Sequence, residues 1–497
     1  TVPLNLSNRD QNSGFLFYNR RLRAAITRFS VRMKHDDRKQ QAALALSLVF
    51  VILGCGWMAL LNVLKPAGLA GQSEIVGNRD TGALYARIDG RLHPALNLTS
   101  ARLATGSPGS PAWVKSEEIG RYPTAPMIGI PGGPDDLVVS SNPVSAWSVC
   151  DTAPAPGRAG AVTVTAIAGA ISGAGRAAPM SAGQAILATH RGADYLIWNG
   201  RRSRIDRADR VLTFNLGMDP GAHRPVEMSN ALFDAMPATE PLVVPAVPGA
   251  GRPSQLLPGS VVGRVLQTRD AGGSVSGFYV LLPDGVQKVT AFVADLLRTA
   301  NSRGATQPQL ISPDKLVGIP EVEVLNVGFY PTGRLTFVDT AANPVSCVSW
   351  RKLSTDPQAT VTVFSGAGLP TPQEFDPRIV ELVRGANDVE SVEAQQTLVL
   401  PGAANFVAST AAGITADTRE SIFWVSPQGV RYGIERDQST LAALGVDPVR
   451  AVQAPWPILR TFAPGPAISR SAALLARDAI QPAGRAAALP QSAGSGG

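Results

Sequence analysis

This chain of 497 residues is short of the side chains that carry most enzymatic chemistry. It has three cysteines and four histidines. Its lysines are Lys34, Lys39, Lys65, Lys115, Lys288, Lys315 and Lys352, and none follows a glycine. The Gly-Lys-Ser/Thr ending of a phosphate-binding loop is therefore missing. His35, His93, His190 and His223 are scattered, without the spacing of a zinc site. His93, beside Pro94, reads as a turn residue. No Gly-x-Ser-x-Gly elbow offers a nucleophilic serine. The adjacent acids Glu117-Glu118 and Asp135-Asp136 point apart and read as solvated surface. Asn97-Leu98-Thr99 is a glycosylation sequon by pattern only. These shortages leave no catalytic, cofactor-binding or metal-ligating residue to nominate.

One long uncharged run stands out instead, Ala42 to Leu64. As a helix it would span roughly 34 Å, enough to cross a bilayer core. It is longer than the apolar core of a signal peptide and starts 41 residues in, so an uncleaved anchor is expected. The first 41 residues hold nine Lys/Arg against Asp10, Asp36 and Asp37, a net charge of +6, while the whole chain is +7. The basic excess thus belongs to the tail, and the positive-inside rule puts that tail in the cytoplasm. The sequence pI near 9.5 then has a topological origin and is no sign of nucleic acid. A second uncharged run, between Arg158 and Arg176, is too weakly apolar to insert and reads as a strand plus a loop.

Cys55 falls inside the span. Cys150 and Cys347 fall in the exported part, in similar settings: Asn142-Pro143-Val144-Ser145 precedes one and Asn343-Pro344-Val345-Ser346 the other. In an oxidising compartment two such cysteines are expected to pair. The bond would close nearly 200 residues and contribute on the order of 4–5 kcal/mol on the chain-entropy model.

In the tail, Phe15, Tyr18, Leu22, Ile26, Phe29 and Met33 recur at steps of three and four, which predicts an amphipathic helix with one apolar stripe. Arg20, Arg21, Arg23, Arg28 and Arg32 lie off the stripe. Such a helix either lies on the inner leaflet or packs against a partner.

In the exported part, 49 glycines, 40 prolines and only 6 % aromatic residues over the chain predict many short strands joined by turns. A hairpin pattern recurs four times, turning at Asp89-Gly90, Asn199-Gly200, Asp284-Gly285 and Gln428-Gly429. Three copies continue alike. Val114, Ile119 and Pro123 follow the first, Met228, Phe233 and Pro237 the second, and Ile311, Leu316 and Pro320 the third, at matching internal offsets. The fourth copy shows no such register by inspection. A helix is expected in the spacer from Thr290 to Thr299. Such repeats bury their apolar faces on their own helices or their neighbours.

The fold class expected is α+β: a cytosolic amphipathic helix, one transmembrane helix, then an elongated periplasmic region with a β-rich central domain and four α+β repeat units. The expected segments are the tail 1–41, the span 42–64, repeat 1 over 65–131 and central domain over 132–180. Repeat 2 follows over 181–240, a central-domain linker over 241–262, repeat 3 over 263–320, central domain again over 321–410, repeat 4 over 411–478 and a disordered end over 479–497.

Several strings are specific enough to name a family. Gln11, Ser13-Gly14-Phe15, Phe17, Arg20-Arg21-Leu22 and Arg32-Met33 precede the span. Lys65-Pro66, Ala83-Leu84-Tyr85 and the run Leu92 to Leu103 follow it, then Gly129-Ile130-Pro131-Gly132 and Trp147-Ser148-Val149-Cys150-Asp151. Together they resemble EccB, the single-span core membrane component of the type VII (ESX) secretion system of mycobacteria and related actinobacteria, from about Gln11 to Asp478. The resemblance implies a structural core subunit that scaffolds the periplasmic side of the complex. It implies the partners EccC (the motor ATPase), EccD and EccE, with further EccB copies in multiples of six, in the inner membrane. The mycosin protease and peptidoglycan are additional candidates, and nucleic acid is not. Family members are sometimes labelled ATPases, so a nucleotide hydrolase is the alternative, with a cell-wall-binding module between the two.

Overall fold

The computed structural model describes residues 9–29, 34–64, 70–140, 142–155, 160–219, 221–305, 307–383, 391–415 and 418–479. It divides into two compact units, one within Thr1–Ser73, Gly77–Gly82 and Ala112–Arg121, the other within Glu74–Val76, Ala83–Pro111 and Tyr122–Gly497.

The first unit carries two long helices, α1 (Arg9–Arg28) and α2 (Lys34–Leu64), and the short helix Ser116–Ile119. Within α2, Gln41–Leu60 is the one helical segment among the described residues long and apolar enough to cross a membrane. Its apolar side chains point outward, as a lipid-facing helix requires. Helix α1 ends earlier than the stripe predicts. The Thr27 hydroxyl donates back to the Arg23 carbonyl at 2.7 Å, a bond that competes with helix geometry. Phe29 then takes a left-handed φ of 49° and is 98 % exposed. So α1 carries Phe15, Tyr18, Leu22 and Ile26, Phe29 lies past its end, and Met33 lies outside the described residues. In the same unit the Trp113 ring lies against Gly77, where an added Cβ would sit 2.5 Å from it. Ser116 Oγ donates to Asp80 Oδ2 at 2.8 Å.

The second unit is built round a seven-stranded sheet. Its order is Val380–Glu381, Gln396–Val399, Thr163–Ala168, Val144–Thr152, Val345–Leu353, Thr360–Gly366 and Ala177–Pro179. The middle pair is antiparallel, with Trp147 opposite Trp350, Ser148 opposite Ser349, Val149 opposite Val348 and Cys150 opposite Cys347. Both strands are buried along most of their length.

Four smaller sheets carry the hairpins. The second, third and fourth copies share one order: three antiparallel strands, a helix, a short strand parallel to the first, and another helix. In the second copy these are Gln184–His190, Ala193–Trp198, Arg201–Ile205, helix Arg210–Leu216, Val226–Glu227 and helix Asn230–Ala235. The spacer helix of the third copy is Ala291–Ala300, capped by the Thr290 hydroxyl.

The prolines have a clear task. Leu92, Arg202 and Val286, each just after its turn, donate their backbone N–H to the carbonyls of Pro123, Pro237 and Pro320 at 2.9, 2.8 and 2.8 Å. Proline lacks an N–H but keeps this acceptor, and it stops the short helix before it. The fourth copy, without visible register in the sequence, follows the first in space. Ala463 pairs with Val430, and Gln453, Ile458 and Phe462 stand after Gly429 as Val114, Ile119 and Pro123 stand after Gly90. Phenylalanine in place of proline and glutamine in place of valine hide the register.

Three expected boundaries move. The fourth sheet begins with Phe406–Thr410. The strand Ala476–Arg477 pairs with Met127–Ile128 beside the first copy. Residues 241–262 contribute no strand to the central sheet. Proline recurs there, which removes ladder donors, and Leu242, Val244 and Val247 join a core shared by the second and third copies.

The packing has an internal symmetry. Asn142 to Ser145 repeats at Asn343 to Ser346, and the two strands cross at the Ser148–Ser349 pair. The central sheet shares one core with copies two and four. Copies two and three share a second, and copies one and four share a third. Each half of the chain is thus an outer copy, a pair of core strands and an inner copy. The outer copy of each half packs on the inner copy of the other.

Candidate functional site

The crossing strands bring together the residues that sequence reasoning singled out and two that it missed. Cys150 and Cys347 are fully buried and bonded at 2.04 Å, with Cα atoms 4.0 Å apart. The bond lies among Ile167, Leu398 and Leu400, and it joins the two halves at their crossing.

One residue beyond Cys150 is Asp151, and its counterpart in the second half is Lys352. Both are buried. Each reaches out of the central sheet to the segment just before a short helix. Asp151 accepts from the Ser229 N–H at 2.7 Å and the Ser229 hydroxyl at 2.6 Å. The same hydroxyl caps helix Asn230–Ala235 by accepting from Leu232 N–H. Burial outweighs these bonds and pushes the carboxyl up to about 7. Lys352 Nζ donates to Gln453 Oε1 at 2.6 Å, and Gln453 Nε2 donates to the Thr418 carbonyl. This explains the glutamine where other copies have an apolar residue: it receives a buried ammonium.

The pairing is testable. Gln453→Leu leaves that ammonium without its acceptor and is expected to destabilise the region by about 2–3 kcal/mol. Lys352→Met in the same chain is expected to recover most of the loss, since a satisfied apolar pair replaces a broken polar one. Urea unfolding of both single variants and the double variant measures the coupling. Additive losses would show that the two side chains do not act together.

Ser229, the partner of Asp151, also lines a cavity of about 470 Å³ together with Val162, Val164, His190, Glu227 and Gln395, among others. Serine, histidine and aspartate meet here, but not as a hydrolytic relay. His190 Nδ1 donates to the Met228 carbonyl at 3.0 Å, and its ring stacks on Phe233. The Ser229 hydroxyl is committed to Asp151 and to the helix cap. A nucleophile would need the imidazole as its base. His93 Nδ1 bonds the Pro126 carbonyl, and Asn97 caps helix Leu98–Thr105 from a buried position. Among the described residues no group of three or more His, Cys, Asp or Glu is placed to hold a metal ion. The arrangement joins elements together. Asp151 and Lys352 were missed as a pair because their equivalence shows only once the two strands are crossed.

The other predicted residues, Phe29 and Met33 aside, lie on α1 and α2. Ala42 and Leu64 both fall within α2. On α1, Phe15, Tyr18, Leu22 and Ile26 are 46–68 % exposed.

A family described as the type VII secretion system ESX-1, transport TM domain B, matches residues 4–482. The chain belongs to the EccB family. It is 62 % identical to the ESX-2 secretion system ATPase EccB2 of Mycobacterium tuberculosis (strain ATCC 25618 / H37Rv) over 495 residues, 100 % of both chains. A chain in the structure of an intact ESX-5 inner membrane complex is 36 % identical, covers 98 % of this chain and 99 % of its own, and superposes with a TM-score of 0.75. A chain from the periplasmic assembly of the ESX-5 inner membrane complex is 37 % identical over 85 % of this chain and 100 % of its own, with a TM-score of 0.73. The EccB resemblance read from the sequence therefore holds over the whole chain, as does the mixed α+β class with one span ahead of a sheet-rich region.

Proposed function

We propose that this EccB chain is a structural core subunit of an ESX inner-membrane complex. The observation that carries the reading is the full-length likeness to a chain of an intact inner-membrane complex. The apolar segment Gln41–Leu60 of α2 anchors the chain. The charge split puts α1 in the cytoplasm and the large unit in the periplasm. There the sheet-rich unit offers a surface on which other components assemble: EccC, EccD, EccE and further copies of the chain. Topology is tested by Asp10→Cys in intact cells. The engineered thiol is expected to resist a membrane-impermeant maleimide, and labelling would reverse the orientation.

The tail helix is the second working part. Burying one large apolar side chain is worth roughly 1.5–3 kcal/mol, so Leu22→Asp with Ile26→Asp removes two such contributions and adds two charges. The span is untouched, so the protein should stay in the membrane. Recovery of the large complex on native gels and export of substrates should both fall. Normal assembly and export would show the stripe to be idle.

Relatives carry ATPase in their names, and seven lysines without a preceding glycine argue against that chemistry here. Purified full-length protein is expected to show no ATP turnover above a blank. Turnover abolished by one point substitution would replace the scaffold reading with an enzyme.

A further inference from the structure

We infer that α1 docks on an anionic lipid surface, held by its apolar stripe and by two flanking arginines. The inference rests on the reading of α1 as the membrane-proximal tail. At about 100° per residue, Phe15, Tyr18, Leu22 and Ile26 form one stripe. Arg23 lies about 100° to one side of its centre and Arg21 about 100° to the other. Arginines on both shoulders of a stripe reach up to headgroup phosphates while the stripe enters the acyl boundary. Arg20 lies on the outer side. The sole acid in α1 is Asp10, in its first turn, so the helix offers one sign of charge to any surface it meets. Basic residues beside a span are drawn to acidic leaflets, and on α1 Arg20, Arg21 and Arg23 supply them. All four stripe residues and Arg20, Arg21 and Arg23 are solvent-exposed.

Phe17 separates lipid from protein. It sits on the face opposite the stripe and is 49 % exposed. A leaflet covers the stripe and leaves Phe17 in water. A partner protein that wraps the helix would bury Phe17 as well.

The test uses the full chain with Cys55→Ser and an environment-sensitive dye on Ile26→Cys, reconstituted in nanodiscs. Discs of phosphatidylglycerol and phosphatidylcholine are compared with discs of phosphatidylcholine alone. Both faces of a disc have the same lipid, so the result does not depend on orientation in the cell. In the anionic discs the dye emission should shift to the blue and be quenched by spin-labelled acyl chains. The shift should weaken with salt and shrink in neutral discs. Arg21→Gln with Arg23→Gln should reduce the docked-to-free ratio roughly 25-fold, about fivefold per arginine. Phe17→Ser should leave it unchanged. A dye that stays in water in the anionic discs overturns the proposal, as does equal docking on both lipids. Loss of docking with Phe17→Ser overturns it too, and docking only after other complex components are added assigns the helix to a protein partner instead.

Discussion

Removing the disulfide with Cys150→Ala and Cys347→Ala is expected to lower the stability of the sheet-rich unit by about 5 kcal/mol on the chain-entropy model. The bond spans a sequence separation of 197 residues, a long loop for one cross-link. Its effect should be larger than that of an ordinary core substitution because it closes the two halves at their crossing. Guanidinium unfolding of the alanine pair, set beside wild type with and without reductant, measures the loss. Alkylation under non-reducing denaturing conditions should leave both thiols protected in wild type. Two alkylated cysteines, or an unfolding midpoint indifferent to reductant, would show that the bond is not formed or carries no load.

Acidification from pH 8 to pH 5 is expected to stabilise the same region through Asp151. Its carboxyl is raised from 3.8 to about 7 in the fold, chiefly by burial. Between about pH 4 and pH 7 the folded state therefore holds a proton that the unfolded chain has released. Stability falls as pH rises across that window and is flat above it. The total fall is up to about 4 kcal/mol, because each tenfold difference in proton affinity between the two states is worth about 1.36 kcal/mol. Asp151→Asn keeps an oxygen to accept the Ser229 N–H and an amide to donate to its hydroxyl. It should remove most of the slope and be more stable than wild type at pH 8. A slope that survives the substitution would assign the pH response to other groups.

Much of this was legible because it depends on local spacing. The span showed as a run without charge, the hairpins as Asp-Gly and Asn-Gly turns, and the repeat as proline at a fixed offset. The prolines were legible for a physical reason: each closes its unit with a carbonyl bonded to the strand after the turn. What the sequence hid is non-local. Gln453 and Phe462 look foreign to the repeat until Lys352 and the central sheet are placed beside them. Asp151 looks like a surface acid after Cys150 until the second copy brings Ser229 onto it. The end of α1 at Arg28 also escaped the periodicity, since the apolar spacing in the sequence continues to Met33.

The exchange of outer copies between halves has a consequence for synthesis. Leu103 and Ile130 share a core with Phe406 and Trp424, which are made more than 270 residues later. At roughly 5–20 residues per second, the first copy waits on the order of 15–60 s for the wall that covers it. Copies two and three, adjacent in the chain, can close long before. The nascent protein therefore spends its early life with its first copy unfinished, and the last strand to arrive, Ala476–Arg477, completes the first sheet begun.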